Sequence, residues 1–270
     1  MLLFGPKIDF EHGNFIVMLL MIIWGVGTVL EILVLIRGSK QKLFHQFPLF
    51  YLYLLFVAMD DVIRVISARW LPNHYFQIYW VTQFICLALG CGIIFEIYRV
   101  ALRSFPGAAR MARYLLLFVF GAIFVKTLAN SSSDLFVWLA KTSLLLERSL
   151  RITQALAILT LVALFAWYAI PFGKNLKGIL FGYSLFIAMR IGQFVLWSYS
   201  WEQIKPYWAY AETGSYLLVL GIWTVTLWSA QAVPQTQRDS PLESDYELLL
   251  HATRAQFRRT LARLGWAARA

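Results

Sequence analysis

Residues 141–154 read KTSLLLERSLRITQ. They lie inside a run, 137–169, that is otherwise apolar and long enough to cross a bilayer. A charged side chain at the centre of a membrane is costly, so such residues face a bundle interior or a watery cavity. Lys141, Glu147, Arg148 and Arg151 therefore predict partners on other helices. The fold turns on whether the rest of the chain supplies them.

The surrounding chain is 60% hydrophobic and only 14% charged, with a mean hydropathy of +0.65. Soluble domains are about 45–50% apolar and about 25% charged. This chain belongs in a bilayer. Its 270 residues accommodate about seven spans of roughly 20 residues each. Apolar runs fall at about 14–36, 47–68, 76–98, 112–130, 137–169, 177–199 and 208–231. Prolines fall in loops and at span ends, with Pro48 in a first helical turn, where its missing N–H is harmless. The expected fold is an all-α integral membrane protein, a seven-transmembrane-helix bundle over residues 1–233. Residues 234–270 follow as a cytoplasmic linker and a C-terminal amphipathic helix. The start of the chain lacks a cleavable signal pattern, so the first span is expected to stay as an anchor.

A net charge of +10 would suggest nucleic acid in a soluble protein. Here the distribution explains it, and no nucleic-acid partner is expected. Arg37, Lys40, Lys42, Arg99, Arg103, Arg110, Arg113, Lys174 and Lys177 occupy the first, third and fifth connectors. The N-terminus and the even connectors hold only Lys7, Arg69 and Lys205. The positive-inside rule then puts the N-terminus outside and the C-terminus in the cytoplasm, as expected of a multi-pass protein of the inner (cytoplasmic) membrane.

The intramembrane charges are ordered by face. At about 100° per residue, Lys141, Glu147, Arg148, Arg151 and Gln154 span an arc of roughly 140° on the fifth span. Tyr53, Asp60, Asp61, Arg64 and Ser67 cover about 120° of the second. Tyr183, Arg190, Gln193 and Trp197 share about 80° of the sixth, and Glu212, Tyr216 and Trp223 about 40° of the seventh. Four helices with one polar stripe each describe a bundle around a polar interior. Lys126 on the fourth span and Gln83 on the third lie at similar depth, in the outer half. The expected ligand pocket is thus Asp60, Asp61, Arg64, Gln83, Lys126, Lys141, Glu147, Arg148, Arg151, Tyr183, Arg190, Gln193 and Glu212. Its six cations outnumber its four acids, which suggests a small, anionic ligand. The alternative is that the same charges are structural ion pairs tying helices together.

Other chemistry is thin. Cys86 and Cys91 sit five apart on one helix and do not face each other, so two buried thiols are expected and no disulfide. His12, His45, His74 and His251 make no metal-ligand spacing, and no metal site is assigned. No catalytic motif such as H-E-x-x-H or G-x-S-x-G occurs, and no catalytic residue is assigned. Glu96 and Arg99 read as a local pair one turn apart, and Glu31 as an acid that either snorkels or bonds inward. Gly25, Gly27, Gly90 and Gly92 read as close-packing positions.

In the tail, Ser244 and Glu247 form a capping box. Beyond it, Tyr246, Leu249, Leu250, Phe257, Leu261 and Leu264 line one side of a helix bordered by Arg254, Arg258, Arg259 and Arg263. Phe257, Leu261 and these arginines are the expected membrane-surface residues, set on anionic inner-leaflet lipids or on a cytoplasmic signalling partner. No kinase or cyclase segment follows, so an inward signal is expected to need a separate partner.

The stretches HYFQIYW (74–80), EIYRVALRSFPG (96–107) and LERSLR (146–151) resemble an uncharacterised group of bacterial seven-helix membrane proteins, recurrent in acidobacteria. The resemblance implies a prokaryotic inner membrane and no particular activity. A microbial rhodopsin would need a lysine in the seventh span for its Schiff base. There is none, so no retinal or other cofactor is expected. An outward pocket, unbroken spans and a cytoplasmic amphipathic helix fit a sensor or receptor-like module best. A transporter or channel component is the alternative, and a membrane enzyme of unknown chemistry the second alternative.

Overall fold

In the computed structural model, residues 14–129, 135–168, 173–199 and 201–228 are described, with scattered positions between 245 and 256. The described elements are helices: α1 (Asn14–Lys40), α2 (Leu43–Gln46), α3 (Pro48–Trp70), α4 (Tyr75–Ala101), α5 (Pro106–Leu128), α6 (Leu135–Trp167), α7 (Lys174–Tyr199) and α8 (Trp201–Thr226). A single 3₁₀ turn, Pro72–His74, leads into α4, and no strand occurs among the described residues. All but α2 are long, from 23 to 33 residues. Four stretches, Pro72–Ala101, Pro106–Thr127, Leu145–Trp167 and Lys174–Leu196, are long and apolar enough to cross a membrane. Helix α3 carries Asp60, Asp61 and Arg64 within one turn and a half, which lowers its apolar character although its length suffices.

Helix ends depart from the apolar runs for local reasons. Helix α5 starts at Pro106 instead of about 112, because a proline at the first helical position is pre-set for the helix. Helix α8 starts at Trp201 instead of about 208, and so includes Pro206 within its second turn. Helix α1 continues to Lys40, and the chain then turns at Lys42, whose φ of 56° lies in the left-handed region.

Helices α1, α3, α4, α6, α7 and α8 pack in that order into a ring that closes where α8 meets α1. Helix α4 also reaches across to α7, and α5 lies outside the ring against α4 and α6. The burial of α5 agrees with that position. Only a narrow stripe through Leu116, Phe120 and Thr127 is buried, while Tyr114, Leu115, Phe118 and Val125 are exposed. A helix that is apolar all round can meet lipid on every face that protein leaves free.

The ring is sealed by aromatics fitted against glycines. Trp223 of α8 lies edge-on to Phe50 of α3, with centroids 4.9 Å apart. It also covers Gly182 of α7, where an added Cβ would fall 2.3 Å from the indole Nε1. Tyr51 covers Gly38 in the same manner. Read in the sequence as part of a polar stripe, Trp223 is instead an apolar core residue, 1% exposed.

Hydrogen bonds bring the basic helix ends together. Arg37 Nε and Gln41 Nε2 both donate to the Trp228 carbonyl beyond α8, at 3.0 and 2.7 Å. Arg99 Nη2 donates to the Gln46 carbonyl at the end of α2, at 3.3 Å. One end of the bundle therefore gathers Arg37, Arg99 and the cations that follow them.

Candidate functional site

In the half of the bundle remote from that basic end, five helices contribute to one continuous polar network. Arg64 Nη2 pairs with Asp60 Oδ2 at 2.6 Å, one turn away on α3, and reaches Gln83 Oε1 of α4 at 3.5 Å. Gln83 Nε2 donates to Glu147 Oε2 of α6 at 3.2 Å. The other carboxylate oxygen of Glu147 is shared: Arg151 Nη2 lies 3.6 Å from it and Arg190 Nε 3.8 Å. Arg190 Nη1 then donates to Glu212 Oε1 of α8 at 2.8 Å and to Gln193 Oε1 at 2.9 Å. Gln83 is the link between the two halves, since it accepts from an arginine and donates to a carboxylate.

Aromatic faces complete the arginine surroundings. The Arg64 guanidinium lies 4.5 Å from the Tyr79 ring centroid. Phe186 of α7 is flanked by Arg151 at 5.0 Å and Arg190 at 5.9 Å. At these distances a ring face attracts a cation, more strongly where water is excluded.

The floor of the network is set by Gly90. The Tyr183 hydroxyl donates to the Gly90 carbonyl at 2.9 Å. A Cβ on Gly90 would lie 2.9 Å from the Tyr183 hydroxyl, 3.4 Å from Gln154 Nε2 and 3.7 Å from Arg151 Nη1. Only a hydrogen at that position lets three polar groups from α6 and α7 close on α4. Gln154 is satisfied locally, accepting from Arg151 at 3.2 Å and donating to Cys91 Sγ at 3.7 Å.

Of the residues singled out in the sequence, Asp60, Arg64, Gln83, Glu147, Arg151, Arg190, Gln193 and Glu212 join this network, and Tyr183 closes its floor. Lys126 and Arg148 are not brought to it. Both are exposed: Lys126 because α5 stands outside the ring, Arg148 because it is about 100° round α6 from Glu147. Lys141 lies within α6, with its side chain outside the described residues. Asp61 is half-buried beside Glu31 and Tyr216 rather than among the arginines. There the Tyr216 hydroxyl donates to Glu31, which is 1% exposed and bonds inward instead of snorkelling. The tail residues Arg254, Phe257, Arg258, Arg259, Leu261 and Arg263 lie outside the described residues.

These positions change the charge balance. Arg64, Arg151 and Arg190 face Asp60, Glu147 and Glu212, so the network is neutral if all are ionised. Of the six cations and four acids read from the sequence, Lys126, Arg148 and Asp61 are not in it, and the Lys141 side chain lies outside the described residues. Burying opposite charges together is tolerable only when their remaining hydrogen-bonding atoms are met. Here several are not: Asp60 Oδ1, Arg64 Nε, Glu147 Oε1, Arg151 Nε and Arg190 Nε are buried without a hydrogen-bond partner.

Exposure rises along the network towards α7 and α8. The Arg64, Asp60 and Arg151 side chains are 5% exposed or less, Arg190 15% and Glu212 21%. Beside that last pair lies a cleft of about 10 Å³, lined by Arg190, Gln193, Glu212, Ser215 and Tyr216 with Phe186 and Met189. It has room for about one water molecule.

Glu96, read in the sequence as one half of a local pair, has a larger role. It does meet Arg99, at 3.2 Å. Its two oxygens also accept the backbone N–H groups of Leu49, at 3.0 Å, and Phe50, at 2.7 Å. Helix α3 begins at Pro48 with no side-chain cap of its own, and the carboxylate of α4 supplies one. The start at Phe47–Pro48 has no side-chain cap of its own, but nothing in the sequence names Glu96 as the partner. Cys86 and Cys91 are both free thiols; Cys91 is buried as expected, whereas Cys86 is only half-buried. Among the glycines, Gly90 packs closely, a Cβ added at Gly27 would lie 3.5 Å from Leu217, and one added at Gly25 would meet nothing within 4 Å.

At the tail, Tyr168 just past α6 donates its hydroxyl to Asp245 at 2.8 Å. That bond holds the Tyr168 phenol above its ordinary pKa. The described positions from Asp245 to Gln256 are helical, and Leu248 is exposed.

No protein family, curated protein or solved structure matches the chain.

Proposed function

We propose that the chain is a seven-span protein of a bacterial cytoplasmic membrane, N-terminus outside, acting as a receptor-like module for a small polar ligand. The observation that carries the reading is the cluster of buried, unmet hydrogen-bonding atoms on Asp60, Arg64, Glu147, Arg151 and Arg190. They lie among apolar helices, and each unmet buried group costs about 1–3 kcal/mol. A purely structural tie between helices gains nothing from leaving them unmet.

The same atoms describe the ligand. Three are arginine donors and two are carboxylate acceptors, so a complementary molecule carries both acceptors and donors. The described side chains balance three cations against three acids, which favours a ligand that is neutral overall. Arg190 and Glu212, the most exposed pair, are the approach from outside, and a molecule larger than water requires α7 and α8 to part there. The basic amphipathic tail, on the cytoplasmic side in this orientation, is the output, resting on anionic lipid or on a signalling partner. The likeness to bacterial seven-helix proteins supports the compartment.

Thermal unfolding of the full-length protein in detergent, against a panel of amino acids, polyols and short carboxylic acids, tests the reading. At least one compound should raise the midpoint, and Gln193→Leu at the cleft should remove the effect. If none does, and Leu in place of both Arg190 and Glu212 raises stability, the network is a helix tie.

A further inference from the structure

A second cavity lies at the opposite, basic end of the bundle, and the network does not use it. It is a groove of about 420 Å³ between the start of α3, the end of α4 and the start of α5. That volume is in the range of small-molecule and cofactor sites, about 300–1,000 Å³. Its rim carries Arg99 and Arg113, and Leu49, Phe95, Leu116 and Leu117 form its apolar wall.

The two arginines are differently committed. Arg99 spends one nitrogen, Nη2, on Glu96 and the Gln46 carbonyl, and its side chain is 51% exposed, leaving Nε and Nη1 for another acceptor. Arg113 is exposed and has no ion pair or hydrogen bond among the described residues. The carboxylate in the groove offsets Arg99 in part and leaves Arg113 uncompensated. Glu96 is turned inward, 1% exposed, with both oxygens held by the backbone of α3. The Tyr98 hydroxyl is likewise taken, donating to the Ala157 carbonyl at 2.7 Å. The groove thus presents positive charge at one edge and hydrocarbon below it.

We infer that this groove binds one anionic phospholipid, with its phosphodiester between Arg99 and Arg113 and an acyl chain along Leu49, Leu116 and Leu117. Guanidinium groups take phosphate oxygens in a planar, two-pronged geometry. A basic recess between helices at the headgroup level is where anionic lipid heads bind. A free inorganic phosphate would satisfy the arginines and leave the wall unused. The site is separate from the network, so its occupancy does not depend on the receptor reading. Under the orientation proposed above, the lipid comes from the cytoplasmic leaflet.

The test uses full-length protein in a neutral detergent, with Arg254, Arg258, Arg259 and Arg263 all replaced by Gln so that the tail cannot contribute. Thermal unfolding is followed while phosphatidylglycerol, phosphatidylcholine or inorganic phosphate is added. Phosphatidylglycerol alone should stabilise. Arg113→Gln, which breaks no described contact, should unfold at the parent temperature without lipid and weaken phosphatidylglycerol binding by about tenfold. Leu117→Asn should weaken it too. Equal stabilisation by phosphatidylcholine, or an unchanged response in Arg113→Gln, overturns the site. Equal stabilisation by inorganic phosphate shows an anion site and overturns the lipid.

Discussion

The Tyr183 hydroxyl of α7 bonds to the Gly90 carbonyl of α4 at the point where a Cβ on Gly90 would come within 2.9 Å of it. One glycine therefore fixes how closely two helices on opposite sides of the network approach. Gly90→Ala should destabilise the protein by about 1–3 kcal/mol through overpacking. Tyr183→Phe should cost about 1 kcal/mol, the worth of one hydrogen bond. Because the atom in the way is the hydroxyl itself, the double variant should be more stable than the sum of the two predicts, by about 0.5 kcal/mol or more. Additive losses in detergent unfolding would contradict the close approach.

Arg148 and Arg151 differ by three positions and should behave oppositely. Arg151→Leu strands Glu147 opposite Arg190 alone, and stranding a buried charge typically costs about 3–5 kcal/mol. Arg148→Leu, on an exposed face, should change stability by about 0.5 kcal/mol or less. Expression level and unfolding midpoint of the two variants provide the comparison.

Glu96→Ala removes the cap of α3 and frees two N–H groups. The loss should be about 1–2 kcal/mol, and Glu96→Gln should recover part of it through its carbonyl oxygen. Amide exchange at Leu49 and Phe50 should accelerate in both, most in Glu96→Ala. Unchanged exchange would mean that the carboxylate is not the cap.

The orientation has its own test. A reporter that works only in the cytoplasm, fused after Ala270, should be active, and one fused before Met1 should be silent. The reverse pattern would invert both the receptor face and the leaflet assigned to the groove.

The polar stripes were legible because charge at helical spacing stands out against an apolar background. Asp60, Arg64, Glu147, Arg151, Arg190 and Glu212 were all found that way, and they do meet. Angular arithmetic was too coarse for its edges. It admitted Arg148 at the margin of a broad arc, and it placed Trp223 in a polar stripe although its neighbours there are Phe50 and Gly182. Depth alone brought in Lys126, since nothing in α5 by itself says that the helix stands outside the ring. Long-range contacts with no local pattern, such as Glu96 to the α3 backbone, were invisible for the same reason: one partner is a bare N–H group, which any sequence can provide.

The position of α5 has a mechanical consequence. In the most apolar part of Pro106–Thr127 only 11% is buried, against 44% in that of Pro72–Ala101, so little of its surface meets protein. The other long helices close a circuit without it. Under tension, or in a micelle that thins around the protein, α5 is the element that departs first while the circuit and its charged centre persist. The chain then unravels in two cooperative steps, an outrigger followed by a hull.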